Sequence, residues 1–182
     1  VQGTRKDSGG RDLNRDHLAL AAPETRAMHT FVRRYRPHVV VDVHNYPARR
    51  RTLTVHGWTI DADVQLGVPT NPAIRTALEP ADLDGLTARV ASDLSSSGYT
   101  VTPYTLFRRS GRARPSTLTT SDARNALALR FGVPTILLEG RDGGPEMTAA
   151  EAARTVSAQF EALRSIEAWA LERQGQLLRG PP

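Results

Sequence analysis

The sequence predicts an α/β fold, and three features predict it. The β-branched run Val39-Val40-Val41-Asp42-Val43 reads as a buried strand, and Pro134-Thr135-Ile136-Leu137-Leu138-Glu139 reads as a second. Around and between them lie segments with helical spacing and clear helix caps. Strands that alternate with helices mark an α/β domain.

Taken in order, the first dozen residues form a polar, Gly-rich loop. Pro23 suits the first turn of a helix, and Glu24 follows where the helix dipole favours an acid. Ala27, Met28, Phe31, Val32 and Tyr35 recur at helical spacing, and Pro37 stops the helix before the first strand. Residues 45–81 are loop-rich. Arg51 to His56 has strand character, but Pro47, Pro69, Pro72 and Pro80, with Gly57 and Gly67, interrupt the segment. Asp82 caps a helix that carries Leu83, Leu86, Val90 and Leu94 on one face. Gly98 ends that helix, and Tyr99 to Tyr104 reads as a strand. Residues 108–118, RRSGRARPSTL, form a basic loop. Ser121 or Asp122 starts a helix through about Arg130, closed by Gly132 ahead of the second buried strand. Thr148 and Glu151 match the capping box of a final helix over 148–179, with Ala152, Val156, Phe160, Leu163, Ile166 and Trp169 as its apolar face. With no internal repeat and no linker, residues 1–182 read as one domain.

Composition narrows the classes of function. At 182 residues, with 39% hydrophobic and 24% charged residues, the chain can bury a real core and reads as globular rather than disordered. No apolar run approaches the ~18–20 residues of a membrane span. The opening VQGTRKDSGGRD lacks a signal peptide and an initiator Met. It reads as the middle of a longer protein, which leaves the compartment open, a secreted or periplasmic one included. Cysteine is absent, which excludes disulfides, thiolate zinc sites and a cysteine nucleophile. The net charge of +5 is almost all arginine, since Lys6 is the only lysine. Arg49-Arg50-Arg51 invites a nucleic-acid reading, but no aromatic residues interleave to stack bases, and a solvated loop is the plainer account. Arginine suits bidentate contact with a carboxylate, so an acidic small molecule or a peptide terminus uses the charge equally well.

Two polar residues end otherwise apolar strands: His44 follows VVVDV, and Glu139 follows PTILL. In open α/β sheets the functional crevice lies outside the carboxyl ends of the strands. There a His with an acid suggests a metal ligand and a general base. Each also has a plain reading, a hydrogen-bonded strand-end His and a Glu paired with Arg141. Asn14-Arg15, in a polar loop ahead of a helix, can grip a carboxylate with several donors, or leave Arg15 as a surface charge.

Together these segments resemble the M14 family of zinc carboxypeptidases. GRDLNRD is similar to the family's Asp-x-Asn-Arg segment in Asp12, Asn14 and Arg15. VVVDVHNY resembles the strand that delivers its third zinc ligand, and LLEGRD its Glu-x-Arg-Asp segment. The resemblance spans residues 10–142. It implies a mixed, doubly wound sheet flanked by helices with its N-terminal part missing, and a Zn2+ cofactor. It implies that Asn14 and Arg15 bind the substrate's terminal carboxylate and that His44 ligates zinc. Glu139 becomes the catalytic glutamate, and Asp12 holds a histidine ligand from outside the chain. Arg141 is taken as structural.

The sequence departs from the family pattern at three places. The His-x-x-Glu motif that supplies two further zinc ligands is absent, as His17, His29, His38 and His56 all lack a Glu three residues on. Since catalytic zinc takes three protein ligands, the chain by itself is expected to be inactive. The family's substrate-covering tyrosine has no match: Tyr99 and Tyr104 lie too far back, and residues 105–138 contain none. Arg112, Arg114, Arg124 or Asn125 line that side of the pocket instead, and Arg124 there favours an anionic substrate, although a helix-surface charge is its plainer reading. The short distance from Asn14-Arg15 to His44 is similar to bacterial members. The function so implied is zinc-dependent hydrolysis of an amide next to a free carboxylate. A metallocarboxypeptidase acting on peptide C-termini comes first, with an N-acyl amino acid deacylase, or a non-catalytic relative that binds peptide termini or polyanions, as the alternatives.

Overall fold

The computed structural model describes residues 6–47, 62–104, 106–107, 113–114 and 121–174. In chain order these form α1 (Pro23–Tyr35), β1 (Val40–Pro47), β2 (Val64–Gly67), α2 (Pro72–Ala77), α3 (Leu83–Ser96), β3 (Val101–Pro103), β4 (Leu106–Phe107), β5 (Ala113–Arg114), α4 (Ala123–Phe131), β6 (Thr135–Asp142) and α5 (Ala149–Glu172). The main sheet runs β1-β6-β2-β3, and β4 and β5 pair separately. β1 is parallel to β6, β6 is antiparallel to β2, and β2 is parallel to β3. The sheet is therefore mixed, as the resemblance implies.

Helices cover both faces because side chains alternate along each strand. Val64, Leu66, Ile136 and Leu138 turn to one side and join Leu86, Val90 and Leu94 of α3 with Ala158, Ala162, Ile166 and Trp169 of α5 in the larger core. The other side holds a smaller cluster of Val32 from α1, Ala123 and Leu127 from α4, and Val133, with Val40 of β1 against it.

Local signals set the helix ends where the sequence predicts them. Pro23 opens α1 and Arg36 closes it in the left-handed conformation (φ 44°). The Asp82 side chain caps α3 at Gly85, and that of Asp122 caps α4 at Asn125. Thr148 and Glu151 form the capping box of α5. The described helix ends at Glu172, short of 179, and the remainder of that expected span beyond Gln174 lies outside the described residues.

Helix facing departs from the expectation in two places. In α1 the buried side chains are Thr25, His29 and Val32, while Phe31 of the predicted apolar face is 58% exposed. In α5 the buried face is Thr155, Ala158, Ala162, Ser165, Ile166 and Trp169, and Phe160 is 60% exposed. The cause in α5 is close approach to the sheet. A Cβ on Gly140 would come within 2.5 Å of Gln159 and 2.8 Å of Thr155, so only small or slender side chains fit under the helix.

The loop-rich reading of 45–81 also gives way in part. β1 extends to Pro47, β2 is a buried four-residue strand, and Asn71 caps the short helix α2 with Pro72 in its first turn. The strand expected over 99–104 contracts to Val101–Pro103. The strand character of Arg51 to His56 falls outside the described residues, as do the Arg49–Arg51 run and most of the 108–118 loop.

Leu138 sits fully buried in the central strand, one residue before Glu139. Leu138→Ala is expected to lower the unfolding free energy by about 2–5 kcal/mol. A urea titration would show this as a lower midpoint at unchanged slope. An unchanged midpoint would mean that this core does not hold the sheet together.

Candidate functional site

Strand register brings the two strand-end residues together. In the parallel β1–β6 pair His44 stands opposite Glu139, and in the antiparallel β6–β2 pair Glu139 stands opposite Gln65. Neighbouring strands lie only about 4.8 Å apart, so these three side chains form a row on one face of the sheet. That face is the one covered by α1 and α4, since Leu138 and Leu66, one residue along, belong to the core on the other side.

His44 is oriented from its own strand. Its Nε2 lies 2.8 Å from Oδ1 of Asp42, two residues back on the same face. A carboxylate accepts, so the imidazole proton sits on Nε2 and the Nδ1 lone pair is left available, as a metal ligand requires. Asn14 Nδ2 lies 3.5 Å from the same Nε2, a close approach rather than a bond, since with the proton on Nε2 both are donors. Behind the strand, Gln159 of α5 donates to the His44 carbonyl at 2.9 Å and to Asn45 Oδ1 at 3.1 Å, fixing the backbone that carries His44.

The Asn14-Arg15 segment is held as firmly. Leu13–Arg15 is a 3-10 turn capped by Asp12, whose Oδ1 accepts from the Asn14 N–H at 3.1 Å. Through this bond Asp12 helps to shape the turn. Asn14 Oδ1 accepts from the Ala123 N–H at 3.0 Å, which ties the turn to the start of α4. Asp16 accepts from the Ala21 and Ala22 N–H groups and from the Thr25 hydroxyl. The Thr25 bond, then the backbone bonds, hold the Asp16 carboxyl at a pKa of about 2. His17 Nδ1 meets His29 Nε2 of α1 at 3.1 Å, both rings buried, and Arg130 of α4 approaches His29 Nδ1 at 3.4 Å. From this platform the exposed Arg15 guanidinium bonds the Asn14 carbonyl at 2.7 Å.

Arg124 is not the helix-surface charge that is its plainer reading. It is 3% exposed in the first turn of α4, and its Nε and Nη1 have no hydrogen-bond partner among the described residues. The guanidinium lies over the Tyr104 ring, 5.2 Å from its centroid. Burial raises the Tyr104 phenol above its ordinary pKa, Glu139 and Asp122 push the same way, and Arg124 and Arg15 oppose them. Asn125 is buried too, donating to Asp122 at 3.1 and 3.2 Å. Arg141 ties β6 to its neighbours through its backbone, its N–H donating to the Asp63 carbonyl at 3.3 Å and its own carbonyl accepting from the Thr155 hydroxyl at 3.0 Å. Arg112 and the Arg114 side chain lie outside the described residues.

Three further residues belong to this corner of the sheet. Asp42 hid in the apolar run, although its i, i+2 spacing to His44 places both on one face. Tyr104 lies far from Glu139 in sequence, but the end of β3 brings it beside Gly67 at the same corner of the sheet. Gln65 sits on a strand that the segment's prolines and glycines obscured. No group of three or more His, Cys, Asp or Glu that could hold a metal occurs among the described residues. They do not by themselves make a complete zinc site.

No protein-family model matches the chain. Over 93 residues it is 27% identical to a Trichophyton verrucosum protein named probable carboxypeptidase 2, a stretch covering 51% of this chain and 18% of that one. Among solved structures it is similar to a metallo-carboxypeptidase from Pseudomonas aeruginosa in complex with (2-guanidinoethylmercapto)succinic acid, with TM-score 0.61 and 20% identity over 95% of this chain and 42% of that one. A metallo-carboxypeptidase from Burkholderia cenocepacia is similar with TM-score 0.55 and 14% identity, over 91% and 40% of the two chains. The chain has the fold of these metallo-carboxypeptidases in the part it covers, about two fifths of their length.

The His17–His29 pair under the Asn14-Arg15 turn should make the turn acid-sensitive. Burial lowers the pKa of both, and His17 and Arg130 lower that of His29 further, to about 4, while Asp16, Asp42 and Asp122 counteract this for His17. An unfolded His titrates near ~6.5. The pair's contribution is thus complete above about pH 6.5 and lost as the pH falls toward 4. Melting temperature is expected to drop across that window in the wild type and more shallowly in His29→Gln. Parallel pH profiles would exclude the pair as the source.

Proposed function

We propose that this chain is part of an M14-type catalytic domain that hydrolyses an amide bond next to a free carboxylate with the help of zinc. The observation that carries the reading is the register that sets His44 beside Glu139. The carboxypeptidase name of the curated relative and the metallo-carboxypeptidase folds support it.

In this reading Arg15 and the Asn14 amide hold the terminal carboxylate of the substrate, with charge-assisted hydrogen bonds fixing its orientation. Asp12 holds those donors in place by shaping their turn. Glu139 lies one strand away and moves the proton: it takes it from the attacking water and passes it to the leaving amine. His44, oriented by Asp42, is one zinc ligand. A zinc centre supplies a water with a pKa near ~7 and needs three protein ligands. The other two come from outside the described residues. A peptide C-terminus is the first substrate class and an N-acyl amino acid the second, the buried Arg124 being the feature that favours the second.

The test is made on zinc-supplemented full-length protein, comparing amino-acid release from acyl dipeptides with acid release from N-acyl amino acids. Glu139→Gln is expected to lower kcat by about 10²–10⁴-fold with little change in KM. Arg15→Met is expected mainly to raise KM. Full activity in Glu139→Gln would remove the hydrolytic reading and leave a protein that only binds peptide termini.

A further inference from the structure

We infer that Gln65 positions Glu139: its side-chain amide donates to one oxygen of the Glu139 carboxylate and leaves the other to take the proton. Gln65 then touches neither substrate nor zinc, and acts through its neighbour alone. The inference rests on the reading of Glu139 as the proton carrier, and deepens it.

A glutamine inside an interior strand needs a reason. β2 is four residues long and buried throughout. Val64 and Leu66 belong to the larger core, while Gln65 turns to the opposite face and is 2% exposed. A primary amide there gives up its water and must find partners within the protein. Its Nε2 has found none: the atom is fully buried and makes no hydrogen bond among the described residues. On the β3 side the register partner is Thr102, which leaves that nitrogen without an acceptor. An apolar side chain would fill the same volume and leave no buried donor unsatisfied. Packing therefore does not account for the amide.

The neighbour on the β6 side does account for it. In the antiparallel β2–β6 pair Gln65 is the partner of Glu139. Side chains directly opposite one another have Cβ atoms only about 4.5–5.5 Å apart. Glutamine and glutamate are equal in length, so their ends can lie side by side above the sheet. One end carries two N–H donors, and the other accepts through two oxygens with room for more than one partner on each. His44 stands on the far side of Glu139 in the same row. The carboxylate thus has the proposed zinc ligand on one side and a buried donor on the other. A general base must hold its oxygen within hydrogen-bond reach of the proton it takes, yet a glutamate side chain turns about several bonds. An amide fixed in a buried strand removes part of that freedom and, being unable to ionise, does not compete for the proton. Such aim matters, since a misplacement of about 1 Å can lower a rate by about 10²-fold.

The experiment is a double-mutant cycle on the full-length, zinc-supplemented protein, built from Gln65→Met, Glu139→Gln and the two combined. It reads kcat and KM on whichever substrate class the wild type hydrolyses faster, acyl dipeptides or N-acyl amino acids. Gln65→Met is expected to lower kcat about 10–100-fold with KM within about twofold, as a misplaced base would. It should not lower the melting temperature, since an apolar side chain of similar shape replaces an unsatisfied buried donor. In the Glu139→Gln background the same change should cost nothing further, because no proton carrier remains to be aimed. Gln65→Asn keeps the amide but withdraws it by one methylene. It should lose kcat as well, so the inference is tested even if Gln65→Met does not fold. Wild-type kcat in both Gln65 variants, with Glu139→Gln impaired, overturns the inference and leaves the hydrolytic reading intact. An equal loss from Gln65→Met in both backgrounds overturns it too, because the amide then acts independently of Glu139. So does a raised KM at unchanged kcat, the mark of a group that touches substrate. A lower melting temperature at wild-type kcat also overturns it and assigns the amide to the fold, where Asn125 Oδ1 is a buried acceptor without a partner among the described residues. Full activity in Glu139→Gln removes the hydrolytic reading, and this inference with it.

Discussion

The parallel pairing of β1 with β6, in the one register that sets His44 against Glu139, is the constraint on which the rest of the site depends. A slip of one residue would turn His44 toward α5 and put Val43 in its place, because side chains alternate along a strand. The register is held by burial on both faces. Ile136 and Leu138 need the core under α3 and α5, and Val40 needs the cluster under α1 and α4. The juxtaposition of His44 with Glu139 and the hydrophobic packing are thus specified by the same choice. The α5 side adds a polar lock, since Gln159 reaches through to the His44 carbonyl.

The other half of the site is built from polar groups that satisfy one another. Asp12, Asn14, Asp16 and His17 lie in a stretch without regular structure beyond one 3-10 turn, and such stretches are usually mobile. Here the stretch is tied down at both ends. Asn14 accepts from the first N–H of α4, and His17 donates its own N–H to Ser121 at 3.2 Å. Asp16 bonds the residues that lead into α1. A carboxylate grip needs this kind of preorganisation, because a loop that must order itself on binding loses affinity to entropy.

Much of this was legible in the sequence where the cause is local. Helix caps depend on a few adjacent residues, so Pro23, Asp82, Asp122 and Thr148 with Glu151 placed helix starts to within a residue. Strand ends carrying His44 and Glu139 were visible as breaks in apolar runs. What could not be read depends on contacts between distant segments. The outward turn of Phe31 and Phe160 follows from how closely each helix meets the sheet, which composition does not encode. β2 is too short and too near Pro69 to show a period, yet it is a buried interior strand of the sheet. For Arg124 the sequence offers both a pocket-lining arginine and a helix-surface charge. Only the fold reveals the glycine across from it and the tyrosine beneath it.

Gly140 follows Glu139 in β6 and faces α5, where a side chain would run into Gln159 and Thr155. Those two residues bond, in turn, the backbone at His44 and at Arg141. The back of the sheet and the front are therefore not independent for this chain's evolution. A substitution at Gly140 would have to be matched on α5 first, and a change on α5 would be felt at the strand that carries His44. Arg124, Tyr104 and Gly67 stand on the other face of the sheet, so a change among them does not press on the α5 interface.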